Sequence, residues 1–169
     1  MPKRNKIIVL IITLILIIGI VLVAFWRYNK AEDATVKLDI PKTVKIGEML
    51  DVPVKIDTAG KTINAAEVYL TFDPEAMKVE SLSKENSVFE LWITGEPKFS
   101  NEKGEISFAG GLPTPGFSGE GQIGSVKITL LRSGKQQIKF DSRTRALLND
   151  GQGSALPLNL DTIVVKVGR

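Results

Sequence analysis

Hydrophobic positions fall into two regimes along this chain. From Ile7 to Trp26 they are continuous, with only Thr13, Gly19 and Ala24 diluting a run of Ile, Leu, Val and Phe and no charged residue among them. Twenty residues at helical rise span about 30 Å, the thickness of a bilayer's hydrocarbon core. Sixteen of the twenty are Ile, Leu, Val or Phe, so insertion of such a helix is favoured by roughly 5–10 kcal/mol. The pattern predicts one transmembrane helix over residues 7–26, behind a basic tail of residues 1–6 and ahead of a polar stalk of residues 27–34. Trp26 and Tyr28 stand where an interfacial aromatic belt belongs, with Arg27 able to snorkel beside them. A cleaved signal peptide would have a shorter apolar core followed by a small-x-small site. Here the run is longer, and Leu22-Val23-Ala24 lies inside it. Lys3, Arg4 and Lys6 place the N-terminus in the cytoplasm and the remainder outside it.

Beyond the stalk the period changes to two. Val36, Leu38 and Ile40 alternate with polar residues, as do Val52, Val54 and Ile56, and Val68, Leu70 and Phe72. The alternation returns at Ile106 and Phe108, at Val126, Ile128 and Leu130, at Ile138 and Phe140, and at Ile163, Val165 and Val167. β-branched and aromatic residues at this period make half-buried strands. Turn signals at Gly47, Gly60, Asp73-Pro74, Gly104, Gly134 and Asp150-Gly151 separate them. About nine strands are expected, which indicates an all-β sandwich or jelly roll over residues 35–169. A single helical turn is expected over Glu75 to Met77. Gly110 and Gly111 are read as a strand exit in a conformation that other residues resist.

Composition narrows the chemistry. The chain has 22 Lys+Arg against 19 Asp+Glu, and Lys3, Arg4 and Lys6 account for the excess. The domain is close to neutral and has no electrostatic footprint for nucleic acid. With no cysteine and no histidine, it has no disulfide, no thiolate nucleophile, no zinc site of the usual kind and no imidazole base. Asn149 to Gly153 has the look of a calcium loop but lacks the spaced acids and closing glutamate, and reads as a turn. No facing pair of carboxylates for glycoside hydrolysis is discernible. Neither a cofactor nor a metal is expected, and the chain is not read as an enzyme. Asp141, Arg143 and Arg145 read as a solvated strand edge. Trp92 reads as core packing, and Phe117, at the tip of a Gly- and Pro-rich loop over residues 110–121, as a partner contact or a plain connector.

Residues 63–82, with a strand ending in Phe72-Asp73-Pro74 and leading to Met77-Lys78-Val79-Glu80-Ser81-Leu82, resemble the cohesin domain. Lys45 to Glu48, Val52-Pro53-Val54, Gly104 to Gly110 and Gly121 to Leu130 are similar to further cohesin segments in the same order. The resemblance covers roughly Thr35 to Val167. It implies a sandwich of the carbohydrate-binding-module superfamily that docks a protein, the dockerin, through one flat sheet face and needs no metal itself. Such modules serve polysaccharide degradation or cell-surface assembly. If the face is shared, strands 63–73, 77–82, 105–110 and 122–131 would form it. Its contact residues would then be Ala65, Glu67, Tyr69, Thr71, Glu105, Ser107, Ala109, Lys127 and Thr129, with Phe117 beside them. Glu67 stands where cohesins often keep an acid, whereas the strand ending at Gly110 has a glycine where some keep another. A carbohydrate-binding module of the same fold and a structural subunit of an envelope complex are the alternatives.

Overall fold

The computed structural model describes residues 12–22, 33–160 and 162–168. The chain divides into two compact units, Met1–Glu32 and Asp33–Arg169. In the first, residues 12–22 form helix α1, exposed throughout. Among the described residues no helix is long and apolar enough to cross a membrane. Both ends of the span expected over residues 7–26, the basic tail and the stalk up to Glu32 lie outside the described residues.

The second unit holds fourteen strands among its described residues: β1 (Ala34–Leu38), β2 (Thr43–Lys45), β3 (Met49–Asp57), β4 (Ile63–Phe72), β5 (Met77–Ser83), β6 (Leu91–Trp92), β7 (Lys98–Ser100), β8 (Glu105–Gly111), β9 (Glu120–Leu130), β10 (Gly134–Phe140), β11 (Arg145–Leu148), β12 (Ala155–Leu156), β13 (Leu158–Leu160) and β14 (Ile163–Gly168). The strands expected from the alternation are all present. Those beyond the expected nine are mostly β2, β6, β7, β12 and β13, two or three residues each, too short for a period to show.

One sheet runs β13-β1-β3-β9-β5. In the other, β4 is central. It pairs with β8 along one edge, Ala65 to Thr71 against Gly111 to Glu105. Its other edge is shared, β11 taking the first half and β10 the last three residues. The sheet continues through β14 and β2 beyond β10, through β12 beyond β11, and through β6 and β7 beyond β8. The core lies between the sheets and takes the apolar half of each alternation, with Val36, Val52, Val54, Ile56, Val79 and Ile128 from one side and Ile63, Val68, Leu70 and Phe108 from the other nearly inaccessible. Burying each such side chain contributes on the order of 1.5–3 kcal/mol, offsetting the chain entropy without any disulfide.

Asp73 and Pro74 carry the chain from one sheet to the other. Pro74 has no N–H to extend the ladder. The Asp73 carboxylate accepts from Glu75 N at 2.9 Å and its carbonyl from Ala76 N and Met77 N at 3.0 Å. The helical turn expected here is this hydrogen-bonded turn, and Met77 already begins β5. Gly104 has φ +66° and packs so closely on the Phe72 carbonyl that a Cβ would lie 2.1 Å from its oxygen. Gly110 differs from its reading above. It lies within β8 at ordinary φ, and what it supplies is room: a Cβ there would sit 2.6 Å from the Phe89 ring and 2.7 Å from the Leu91 carbonyl.

Candidate docking face

Because Val68, Leu70 and Phe72 point inward, Ala65, Glu67, Tyr69 and Thr71 form a half-buried row on the outer face of β4, about 7 Å between successive members. β8 sets Ala109 opposite Glu67, Ser107 opposite Tyr69 and Glu105 opposite Thr71. On the other edge β11 sets Arg145 opposite Glu67, and β10 sets Lys139 opposite Thr71.

The corner between β10 and β11 closes the ladder at Tyr69. Thr144 Oγ1 accepts from Tyr69 N at 3.0 Å and donates to Tyr69 O at 3.1 Å, and Asp141 N donates to the same carbonyl at 2.9 Å. A side chain here does the work of a backbone pair, which leaves Arg143 and Arg145 free to project outward. The Arg143 guanidinium lies 4.6 Å from the Tyr69 ring centroid and its Nε donates to Asp141 Oδ1 at 2.8 Å. Arg145 Nη2 donates to Glu67 Oε1 at 2.7 Å, and Tyr69 Oη donates to Glu67 Oε2 at 3.2 Å. Tyr69 is thus fixed on both sides, between a cation on its face and a carboxylate at its hydroxyl. Partial burial, followed by the Glu67 charge, pushes the Tyr69 hydroxyl above its ordinary value, with Arg143 opposing. The hydrogen bond from Arg143 holds Asp141 below the usual carboxylate range.

Residues between β6 and β7 fold over the outer face of β8. Glu96, almost fully buried, accepts from Ser107 Oγ at 3.0 and 2.8 Å and pairs with Lys98 Nζ at 2.9 Å. That bond and the charge behind it hold Lys98 above the usual lysine value. Between β7 and Tyr69 lies a groove of about 380 Å³, lined by Lys98, Phe99, Lys103, Glu105 and Arg143 among others.

The face expected from the sequence therefore needs correcting. Ala65, Glu67, Tyr69, Thr71 and Glu105 share one accessible face. Ser107 and Ala109 share its side of the sheet but are buried, Ser107 under Glu96. Lys127 and Thr129 stand on β9, in the opposite sheet. There Lys127 pairs with Asp51 and Ser81, and Thr129 Oγ1 donates to Glu80 at 2.9 Å. Strands 77–82 and 122–131 join that sheet because the turn after Asp73 changes layers. Phe117 folds back, exchanging both backbone hydrogen bonds with Ile63 and packing against the core. Arg143 and Arg145, read as a solvated edge, belong to the face. Their signal was the alternation Arg143-Thr144-Arg145-Ala146, hidden because the inward members Thr144 and Ala146 are neither large nor strongly apolar.

Phe99 is 40% exposed at the groove, but neither Trp92 nor Tyr69 adds a free ring to it for stacking. Trp92 meets Phe89 edge-on at 5.5 Å and has Lys84 Nζ 4.9 Å from its centroid, while Arg143 covers Tyr69. The Asn149 to Gly153 segment is a turn whose Asp150 carboxylate accepts from Gln152 N at 2.8 Å, and among the described residues no group of acids is placed to hold a metal.

Residues 34–165 match the family model of the cohesin domain. A type I cohesin–dockerin complex from Clostridium thermocellum superposes with a TM-score of 0.63 at 16% identity, over 81% of this chain and 100% of that one. The third ScaC cohesin of Acetivibrio cellulolyticus, solved with the ScaB dockerin, gives 0.62 at 18% identity over 80% and 100%. CaCohA2 from Clostridium acetobutylicum gives 0.63 at 15% identity over 82% and 92%. A comparison with curated proteins gave no match.

Proposed function

The chain belongs to the cohesin domain family, and on that premise we propose that its sandwich is a docking module that holds a dockerin-like protein partner. Cohesins of the same fold have been solved in complex with dockerins. The observation that carries the reading here is Tyr69, an aromatic side chain at the centre of an accessible sheet face, held between Arg143 and Glu67. Aromatic anchors beside polar partners dominate the energetics of interfaces, and a side chain already fixed loses little entropy on binding. The module docks and carries out no chemistry, so no catalytic residue is assigned. We also infer that residues 7–26 tether it to the membrane with the N-terminus in the cytoplasm and the sandwich outside. The uncharged run and the basic residues before it support this. Assembly of partner proteins at the cell surface is the setting that follows.

A pair of neighbouring substitutions tests the face. Tyr69→Ala should weaken binding to a calcium-loaded dockerin module by about 2 kcal/mol or more, while costing only about 1 kcal/mol of stability for the lost contacts with Arg143 and Glu67. Leu70→Ala, one residue on and inside the core, should cost about 2–5 kcal/mol of stability. Calorimetric titration beside thermal melts separates the two. Unchanged affinity in Tyr69→Ala, against a dockerin that binds the parent chain, would remove the face from consideration.

A further inference from the structure

Three ion pairs frame Tyr69, and all three are oriented alike. In Lys98–Glu96 the side chains are 70% and 5% exposed, in Arg143–Asp141 58% and 25%, and in Arg145–Glu67 55% and 22%. The base is outermost each time and the acid lies beneath it. Lys78–Glu80 on the opposite sheet and Arg132–Asp73 at the end of the sandwich share this order singly, whereas Lys55–Asp39 and Arg132–Glu75 turn the acid outward. Among the described residues, only around Tyr69 do three such pairs stand together. Exposed Lys103 and Lys139 add two more cations at the margin of the face, against Glu105 as its one exposed acid. The domain as a whole is near neutral, since five of the 22 bases and one of the 19 acids precede Asp33. Its charge is therefore layered on this side, positive outside and negative within.

Resting on the docking reading above, we infer that the partner reads this face as a positive surface and presents an acidic patch to it. An approaching chain meets the guanidiniums and ammonium groups first. Arg145 gives one of its five N–H donors to Glu67 and Arg143 two side-chain donors to Asp141, so both keep donors that carboxylates can take up without breaking the existing pairs. The acids beneath, Glu96 buried and Glu67 and Asp141 half-buried, then act as positioning residues, holding the cations in place before the partner arrives. Interleaved Glu67, Glu96, Asp141 and Glu105 make the face a poor track for a phosphate backbone, which favours discrete carboxylates on a protein.

The test uses the full chain in detergent micelles and two synthetic helical peptides with the same apolar stripe, one flanked by glutamates and one by lysines. The glutamate peptide should shift the amide resonances of β4, the residues of the groove and the corner at 141–145. Its affinity should fall at least about tenfold in Arg143→Glu/Arg145→Glu and should fall with rising salt. Lys103→Gln/Lys139→Gln, which leaves every ion pair of the face in place, should weaken it in the same direction. If the lysine peptide maps to this face instead, the inference is overturned while the docking reading stands. If both peptides map to the opposite sheet around Lys127, or spread over the whole domain, both fall. An oligonucleotide that binds as tightly as the glutamate peptide makes the face a general polyanion site and overturns the inference.

Discussion

Tyr69 shows what one position on a strand can be made to do. Its backbone is tied by the Thr144 hydroxyl, its ring lies under Arg143, and its hydroxyl is spent on Glu67. Burial and the neighbouring carboxylate both favour the protonated phenol, burial more, so its folded-state pKa lies above the ordinary 10.0. For a group whose folded pKa is raised, the linked stability is intact below the unfolded value and is lost as pH rises through the folded one. The window for this loss opens above pH 10. In the full chain carrying Tyr28→Phe, Tyr69 is the sole tyrosine, and its ultraviolet titration should have its midpoint above 10.0. Glu67→Gln should move that midpoint down without bringing it to the ordinary value, because burial, the larger cause, remains. A parent midpoint at or below 10.0 would show that the ring is more open than its contacts imply.

At the scale of elements, the edges need the most explanation. β5 pairs with β9 on one side only, leaving its other edge as a template for a foreign strand. Asn101 closes it: its Oδ1 accepts from Val79 N at 2.8 Å and its Nδ2 donates to Val79 O at 2.9 Å, in the manner of a backbone pair. A register shift at Glu80 bends the strand just beyond. Asn101→Ala should cost about 1–3 kcal/mol of stability and promote self-association, seen as a lower melting temperature and an earlier, concentration-dependent peak in size exclusion. Asn101→Asp keeps the acceptor but sets an oxygen against the Val79 carbonyl, and should be worse for stability than Asn101→Ala. If both variants melt and elute like the parent, Asn101 is ornamental. None of this is legible in the sequence, because an asparagine in a turn gives no sign of a partner 22 residues away. What was legible is the inward and outward sides of β4, since Val68, Leu70 and Phe72 leave one register only. Sheet membership was not, because pairing with residues 105–111 and 138–148 is long-range, and the turn at Asp73 looks the same in sequence whether or not it changes layers. Four of the nine strand positions offered for the face failed: Lys127 and Thr129 by layer, Ser107 and Ala109 by a burial that alternation does not announce, Ser107 beneath Glu96.

At the scale of the whole molecule, two units with opposite solvent preferences share one chain. The uncharged run over residues 7–26 has no polar stripe with which to face water. The unit beginning at Asp33 keeps its apolar residues between its sheets, with no cysteine to help. These facts separate in an experiment. A fragment beginning at Asp33 should be soluble, strand-rich by circular dichroism and cooperative in unfolding, with a melting temperature indifferent to reductant and to chelator. The full chain should stay with membranes after alkaline extraction, and protease added outside intact cells should digest the sandwich and leave a membrane-bound remnant holding Lys3, Arg4 and Lys6. Release of the full chain by alkali would mean that the apolar run lies on the membrane or against another protein. Protection of the sandwich in sealed cells, with digestion in inverted vesicles, would put it on the cytoplasmic side, where a docking face serves cytoplasmic partners. The charge balance explains why the second outcome is a real test. Arg27 and Lys30 follow the apolar run as Lys3, Arg4 and Lys6 precede it, so the bias that orients the helix is one basic residue, at about the level where a single substitution can reverse it.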